Sequence, residues 1–162
     1  MPLMNYSTRV DTHRTVSQIT EILVRHGASR IVQDFDGSGN VVALKWSLDG
    51  RYVNLGYAMP VNYEAVYDVL TDEGLIFKRD AERRKEQARR VAWRILKDWI
   101  EAQIALLESG MVEMEEIFLP YMIAGAGDRT LYRALVDGQF RDLNLITNDA
   151  IALPQARYQE PS

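Results

Sequence analysis

The sequence predicts an α+β fold in which a small antiparallel sheet packs against one long helix. The run 79–109 contains no Gly or Pro and is rich in strong helix formers, which predicts a single helix. Upstream, three short segments rich in β-branched and aromatic residues predict strands at 29–35, 41–48 and 51–59. The dipeptide Asp49-Gly50 between the last two segments is a strong hairpin signal, so these strands are expected to form an antiparallel meander.

A strand and a helix are predicted before this meander. Residues 4–10 alternate weakly between apolar and polar side chains, which favours a short first strand. Asp11 or Thr12 is a suitable N-cap, and Gly27 is a suitable residue to end the helix. The helical stripe between them consists of Val16, Ile19, Leu23 and His26. The predicted order is therefore strand, helix and three further strands.

Helices are predicted throughout the part of the chain that follows Pro60. Asn62 is expected to cap a short helix at 63–70, and Gly110 to end the long helix. The apolar face of the hairpin is expected to be Val42, Leu44, Trp46 and Leu48. The stripe of the long helix that would cover it is Ala81, Ala88, Val91 or Ala92, Ile95, Trp99, Ala102 and Leu106.

Two short helices complete the predicted domain. The first, 114–122, contains Pro120, which should kink or end it. Asp128 is expected to cap the second, 130–136. Residues 1–140 thus form one α+β domain, and residues 141–162, where periodicity fades, are expected to be a weakly structured tail.

Composition favours a cytoplasmic protein of ordinary globular type. The 162 residues are 47% hydrophobic and 26% charged, and there is no cysteine, which excludes disulfides, thiolate zinc sites and cysteine nucleophiles. The first residues lack the pattern of a signal peptide, and no stretch approaches the roughly 20 apolar residues of a membrane-spanning helix. No membrane association is therefore expected.

The charge of the chain is unevenly distributed. Net charge is −4, yet the segment 78–97 holds nine basic residues against three acidic ones. Its local charge is +6, so the rest of the chain carries −10. A basic segment on an acidic body suggests a polyanion or an acidic protein as partner. Alternatively, the acidic body folds against the segment and neutralises it.

The first functional hypothesis is that the long helix binds nucleic acid, with single strands favoured over duplex. Arginines neutralise phosphates, and an exposed aromatic ring stacks on an unpaired base. The candidate contact residues are Arg83, Arg90, Arg94, Lys97 and Trp93. In the alternative interpretation, Trp93 packs against the sheet or the 63–70 helix, and arginine stems cover it.

The second hypothesis is a protein-interaction or assembly module. The long helix would pair with a second copy or with another protein through Trp99, Ile100, Leu106 and Leu107. Such a module acts as an inhibitor of a host factor or as a subunit of a homo-oligomer. An enzyme is the third choice, because no catalytic residue can be named.

Several patterns that suggest metal or catalytic chemistry are better explained structurally, and no cofactor or metal is predicted. Residues 34–45 match the first positions of a calcium-binding loop, but Lys45 stands where a bidentate Glu is needed, so an acidic turn is expected. His13 and His26 lie near opposite ends of one helix, too far apart to share a metal. The carboxylates of Glu113, Glu115 and Glu116 suit a helix start.

Three blocks of the sequence resemble a group of short phage and prophage proteins without a known activity. The blocks are RTVSQITEILVRHGA, VVALKWSLDGRYVNLGYAMP and AWRILKDWIEAQIALLESG followed by EEIFLPY. Between them, NYEAVYDVLTDEGL replaces a more irregular polar loop. The resemblance implies a phage-type accessory protein that acts in the cytoplasm of a bacterial host, and it supplies no catalytic residue.

Overall fold

The computed structural model describes residues 1–49, 54–76, 80–125, 127–138 and 140, with the side chain of residue 54 excepted. The α+β prediction is confirmed. The elements are α1 (Thr12–Arg25), β1 (Ala28–Phe35), β2 (Val41–Asp49), β3 (Asn54–Pro60), α2 (Tyr63–Asp72), α3 (Ala81–Glu108), α4 (Met114–Phe118), a 3₁₀ turn (Leu119–Tyr121) and α5 (Leu131–Asp137). The predicted tail 141–162 lies outside the described residues.

The three strands form one antiparallel sheet in the order β1-β2-β3. Trp46 in the central strand pairs with Ile31 of β1 and with Tyr57 of β3. The last pair at the hairpin end joins Asp49 to Asn54. The meander is therefore as predicted, although Gly50 and residues 51–53 of the predicted third strand lie outside the described part of the chain.

The predicted first strand, 4–10, is wrong. Residues 4–7 form a turn, with Asn5 in the left-handed region at φ 63°. The backbone carbonyls that a strand would use accept hydrogen bonds from the side chain of Gln87 in α3, which reaches Tyr6 O at 3.0 Å and Thr8 O at 2.9 Å. A side chain from a distant helix thus satisfies this segment, and no periodicity in the segment itself reveals that.

Helix caps were predicted well where the capping side chain has no other partner. The Asp11 carboxylate accepts from the His13 amide at 2.8 Å, and the Asn62 side chain accepts from the Ala65 amide at 3.1 Å, both as expected. Asp128 does not cap α5, because its carboxylate is hydrogen-bonded to Lys45 at 2.5 Å. Thr130 caps α5 instead.

The main core lies between one face of the sheet and helices α1, α3 and α4. Aromatic rings fill its centre: Trp46 stacks on Tyr57 at 5.5 Å, and Phe118 meets Trp46 edge-on at 5.1 Å. Leu44, Trp46 and Leu48 are buried as predicted. Val42 is only half-buried and Val41 takes its place in the core, since the β1–β2 register shifts at this end of the strands.

The long helix α3 is packed on two sides. A second cluster, built on Leu70, Ala88 and Val91, joins it to α2, while Ile100 and Ile104 enter the main core. The predicted single stripe is therefore only partly right. Ala88, Val91 and Ala92 are buried, Ile95, Trp99 and Leu106 are half-buried, and Ala81 and Ala102 are exposed. Among the described residues, no helix is long and apolar enough to cross a membrane.

The Tyr57 hydroxyl gives a test of this core. It is buried and has no hydrogen-bond partner among the described residues, and burial, helped by the charge of Glu115, raises the pKa of Tyr57 to about 12. Because Tyr57→Phe keeps the ring and removes an unsatisfied polar atom, we expect stability to stay equal or rise by about 1 kcal/mol. Urea unfolding at pH 7 measures this, and a loss of stability would contradict it.

The same side chain makes stability depend on alkaline pH. In the unfolded chain the phenol ionises near 10.0, whereas the folded protein holds the proton until about 12. A raised folded-state pKa means that the stabilisation is complete below pH 10 and is lost as pH rises toward 12. The wild type should therefore lose stability relative to Tyr57→Phe over this interval.

Candidate functional site

The predicted basic face of α3 carries its own counter-charges. Arg90 Nε lies 3.2 Å from Glu86, and Arg94 Nε lies 3.8 Å from Asp98. Lys97 is paired with Glu101, and Arg83 Nε lies 3.4 Å from Asp80. Every predicted cationic contact thus has a carboxylate about one helical turn away. The neutralising acids belong to α3 or to its N-cap, Asp80, rather than to a separate acidic body.

Trp93 is not exposed, so the prediction of a surface aromatic among arginines is wrong. Its side chain is 1% exposed, and its indole Nε1 donates a hydrogen bond to the Val41 carbonyl at 3.2 Å. The alternative interpretation, in which Trp93 packs against the sheet, is confirmed. Lys97 beside it is also buried. Stacking on a base is therefore closed to Trp93 in this fold.

The predicted protein interface on α3 is largely used within the chain. Ile100 is fully buried in the main core. Trp99 meets Phe118 at 5.8 Å and Tyr121 at 5.9 Å, and Leu107 packs against the same core. Leu106 is half-buried. The apolar residues in the C-terminal part of α3 are thus covered by α4 and the 3₁₀ turn.

The calcium-like loop is an acidic turn, as expected. One carboxylate oxygen of Asp36 accepts from the amides of Ser38 and Asn40, at 2.8 and 2.9 Å. The hydrogen bond from the Asn40 side chain is the largest cause that lowers the pKa of Asp36. Among the described residues, no group of three or more His, Asp or Glu side chains is placed to hold a metal ion.

The remaining polar candidates have structural partners. His26 Nδ1 lies 2.8 Å from the Ile22 carbonyl and its Nε2 lies 3.1 Å from Glu108. Glu113 and Glu116 form the capping box of α4. These contacts agree with the structural interpretation of both motifs.

A cleft of about 590 Å³ lies on the outer face of the sheet, where Pro120, Tyr121 and the start of α5 cover it. The Lys45 ammonium in this cleft is held by Asp34 at 2.6 Å and Asp128 at 2.5 Å. Hydrogen bonds to Asp128 and then Asp34 raise the pKa of Lys45. A lysine nucleophile or base needs a lowered pKa, which is the opposite of the shift of Lys45.

Several arginines outside the predicted face lack such partners. Arg9, Arg14, Arg25 and Arg30 are exposed, and no carboxylate of the described residues lies within ion-pair distance of them. Contacts of Arg94 with Gln18 and of Glu108 with His26 show that α1 and α3 run in the same direction. Arg14 in α1 and Arg90 in α3 each lie one turn before the Gln18–Arg94 contact. Both therefore lie along the line where α1 and α3 meet, which we call the seam.

The two edges of the sheet differ. Beside β3, Met122 bridges to Tyr57 and the Ile123 amide donates to the Gly56 carbonyl at 2.7 Å. On the side of β1 that faces away from β2, no described residue forms a ladder. Val32 is 36% exposed and Phe35 is 56% exposed on this strand. An unpaired edge strand with apolar side chains is a ready surface for another strand.

The register shows which groups β1 offers. The Val61 amide donates to the Val42 carbonyl at 3.0 Å, so Val42 directs its backbone groups toward β3. Backbone direction alternates along a strand, so Lys45 points its groups toward its partner Val32 in β1. Val32 therefore bonds inward, and its neighbours Ile31 and Gln33 direct their amides and carbonyls to the open edge. We call this surface, residues 30–35 at the outer side of β1, the β1 edge.

No protein-family model matches the chain, and searches of curated proteins and of solved structures found no match either.

The role of Trp93 as an anchor can be tested directly. Trp93→Phe removes the hydrogen bond to Val41 and leaves unfilled volume, so we expect a loss of about 2 kcal/mol. Arg83→Ala is the matched control on the same helix, because the Arg83 side chain is 77% exposed. Its effect should stay within about 0.5 kcal/mol. Urea unfolding followed by circular dichroism measures both, and equal stabilities of the two variants would contradict the anchor.

Proposed function

We propose that this protein is a non-enzymatic interaction module and that the β1 edge is its contact surface. The observation that carries the proposal is an eight-residue strand whose side away from β2 has no described partner, whereas the opposite edge of the sheet, at β3, is bridged by Met122. Main-chain hydrogen bonds to such an edge supply affinity, and the alternate side chains supply specificity. The phage-type context remains a prediction from the sequence resemblance.

Register irregularities, which can help to protect an edge, occur only at the two ends of this strand, between Ala28 and Arg30 and between Asp34 and Phe35. β1 contains no proline, and its charged residues are Arg30 and Asp34, which both lie on the outer face with Val32 between them. Phe35, at the end of the strand, is more than half exposed. An edge strand with exposed apolar side chains is suited to pairing with an extended partner strand.

Photo-crosslinking tests the proposal. With benzoylphenylalanine in place of Phe35, we expect a discrete adduct in cells that produce the protein, because the partner strand passes beside this residue. The same label at Met111, which is 69% exposed but lies outside the sheet, should give none.

A proline variant makes this test specific to strand pairing. Gln33→Pro removes an outward amide and spares the β1–β2 ladder, so it should abolish the adduct while the thermal melt stays unchanged. An adduct that survives Gln33→Pro, or no adduct at position 35, would refute the β1 edge as the contact surface.

We propose nucleic-acid binding as the second candidate, shifted from α3 alone to the seam between α1 and α3. The observation that favours it is the exposed pair Arg14 and Arg25, which lack carboxylate partners among the described residues. Their spacing of eleven residues brings both to one side of α1. Arg90 and Arg94 border the same seam, although Glu86 and Asp98 reduce its charge.

Anisotropy of labelled single-stranded DNA, duplex DNA and RNA tests this candidate. Binding through phosphates should weaken steeply between low and moderate salt, and Arg14→Glu with Arg25→Glu should lower affinity by roughly tenfold or more. Arg90→Glu with Arg94→Glu should have a smaller effect, because each arginine is already paired. Absence of binding at low salt would exclude the candidate.

A further inference from the structure

We infer that the strand that adds to the β1 edge is β1 of a second copy of this chain, antiparallel and related by a two-fold axis at Val32. The inference rests on the proposed function and names its partner. A two-fold contact must be self-complementary, so each feature of the edge has to meet its own complement across the axis.

The charges on β1 meet this condition. Arg30 and Asp34 stand two residues before and two residues after Val32. An antiparallel pairing centred on Val32 sets Arg30 of each copy opposite Asp34 of the other. Opposite charges that face each other across two strands stabilise the pairing.

Both charged side chains are available for this contact. Arg30 is exposed, and no carboxylate of the described residues lies within ion-pair distance of it. Asp34 contacts Lys45 through one oxygen, and its side chain remains 37% exposed. The second oxygen of Asp34 can therefore accept from an arginine of the second copy.

The backbone imposes the same register. Ile31 and Gln33 carry the outward amides, and centring on Val32 sets Ile31 of one copy opposite Gln33 of the other, so outward groups meet outward groups. Val32, whose backbone bonds inward, falls at the close, non-hydrogen-bonded position on the axis. There the two exposed valine side chains, each 36% accessible, bury one another.

Neighbouring registers lose this match. Centring on Ile31 places Arg30 opposite Val32 and leaves both charges without a partner. Centring on Gln33 places Asp34 opposite Val32 and brings Arg30 to Asp36, which lies beyond the end of β1 with its carboxylate in the turn to Asn40. Registers centred between residues set outward groups against inward ones. The Val32 register joins the two sheets into one, with three strands from each copy.

Charge exchange between two variants tests the register. Light scattering after gel filtration of the purified full chain should give twice the mass of one chain. Arg30→Glu and Asp34→Lys should each reduce it to the mass of one chain, because like charges then face each other on both sides of the axis. An equimolar mixture of the two variants should restore the doubled mass, since the glutamate introduced at position 30 faces the lysine introduced at position 34.

Two further variants control for folding and for charge alone. Arg83→Glu changes an exposed arginine in the first turn of α3, outside the sheet, and should leave the doubled mass unchanged. Asp34→Lys also loses its contact with Lys45, so Val32→Glu provides a second route: two carboxylates meet on the axis, while within each chain the glutamate lies opposite Lys45, so the mass should halve with an unchanged melt.

The outcomes separate this inference from the proposed function. A folded wild type with the mass of one chain at all concentrations, or a variant mixture that does not recover the doubled mass, overturns the second copy as partner. If the Phe35 adduct then has the mass of this chain plus a different protein, the β1 edge still works as an interaction surface. If no adduct forms, both proposals fail.

Discussion

The burial of Trp93 constrains the rest of the structure. Its indole is hydrogen-bonded to the Val41 carbonyl at the start of the central strand, so the middle of α3 is held against the sheet. α1 packs beside α3 from the sheet side, and α2 closes the opposite side through Leu70, Ala88 and Val91. The long helix is therefore buried on its packed sides between Gln87 and Ile104, although a basic amphipathic helix would normally lie on the surface.

This central position explains the charge pattern of α3. A helix covered on two sides leaves little exposed surface for its cations, and Lys97 and Arg89 each expose less than a tenth of their surface. A charge in such a place needs a partner or an aromatic face. Lys97 pairs with Glu101, and the Arg89 guanidinium lies over the Tyr63 ring at 4.8 Å. The basic residues of α3 thus lie along the margins of a buried helix. Because several of them are buried or paired, the positive electrostatic field at the surface is weaker than the number of basic residues in the sequence suggests.

Local signals in the sequence predicted most of the fold, and non-local contacts account for what they missed. The caps at Asp11 and Asn62, the meander and the length of α3 depend on neighbouring residues, so they could be inferred. Periodicity on a helical wheel assumes one buried stripe and therefore predicts Trp93 in solvent, whereas Trp93 packs in the main core against the sheet. The turn at 4–7 depends on Gln87, more than 75 residues away. The symmetric positions of Arg30 and Asp34 about Val32 can be seen in the sequence. They suggest a pairing between two chains only when the structure shows that β1 is an edge strand.

The two edges of the sheet differ in how they are supported. At β3, Met122 and Ile123 return after α4 and occupy the edge, and the segment that does so also brings Asp128 to Lys45. Lys45 in turn holds Asp34 on the outer face of β1. One closed edge therefore helps to fix, through two ion pairs, the carboxylate that the open edge presents. Protection of an edge strand from aggregation requires charged side chains, but it does not require that they be held in a fixed position. The ion pairs that hold Asp34 therefore go beyond what edge protection alone requires.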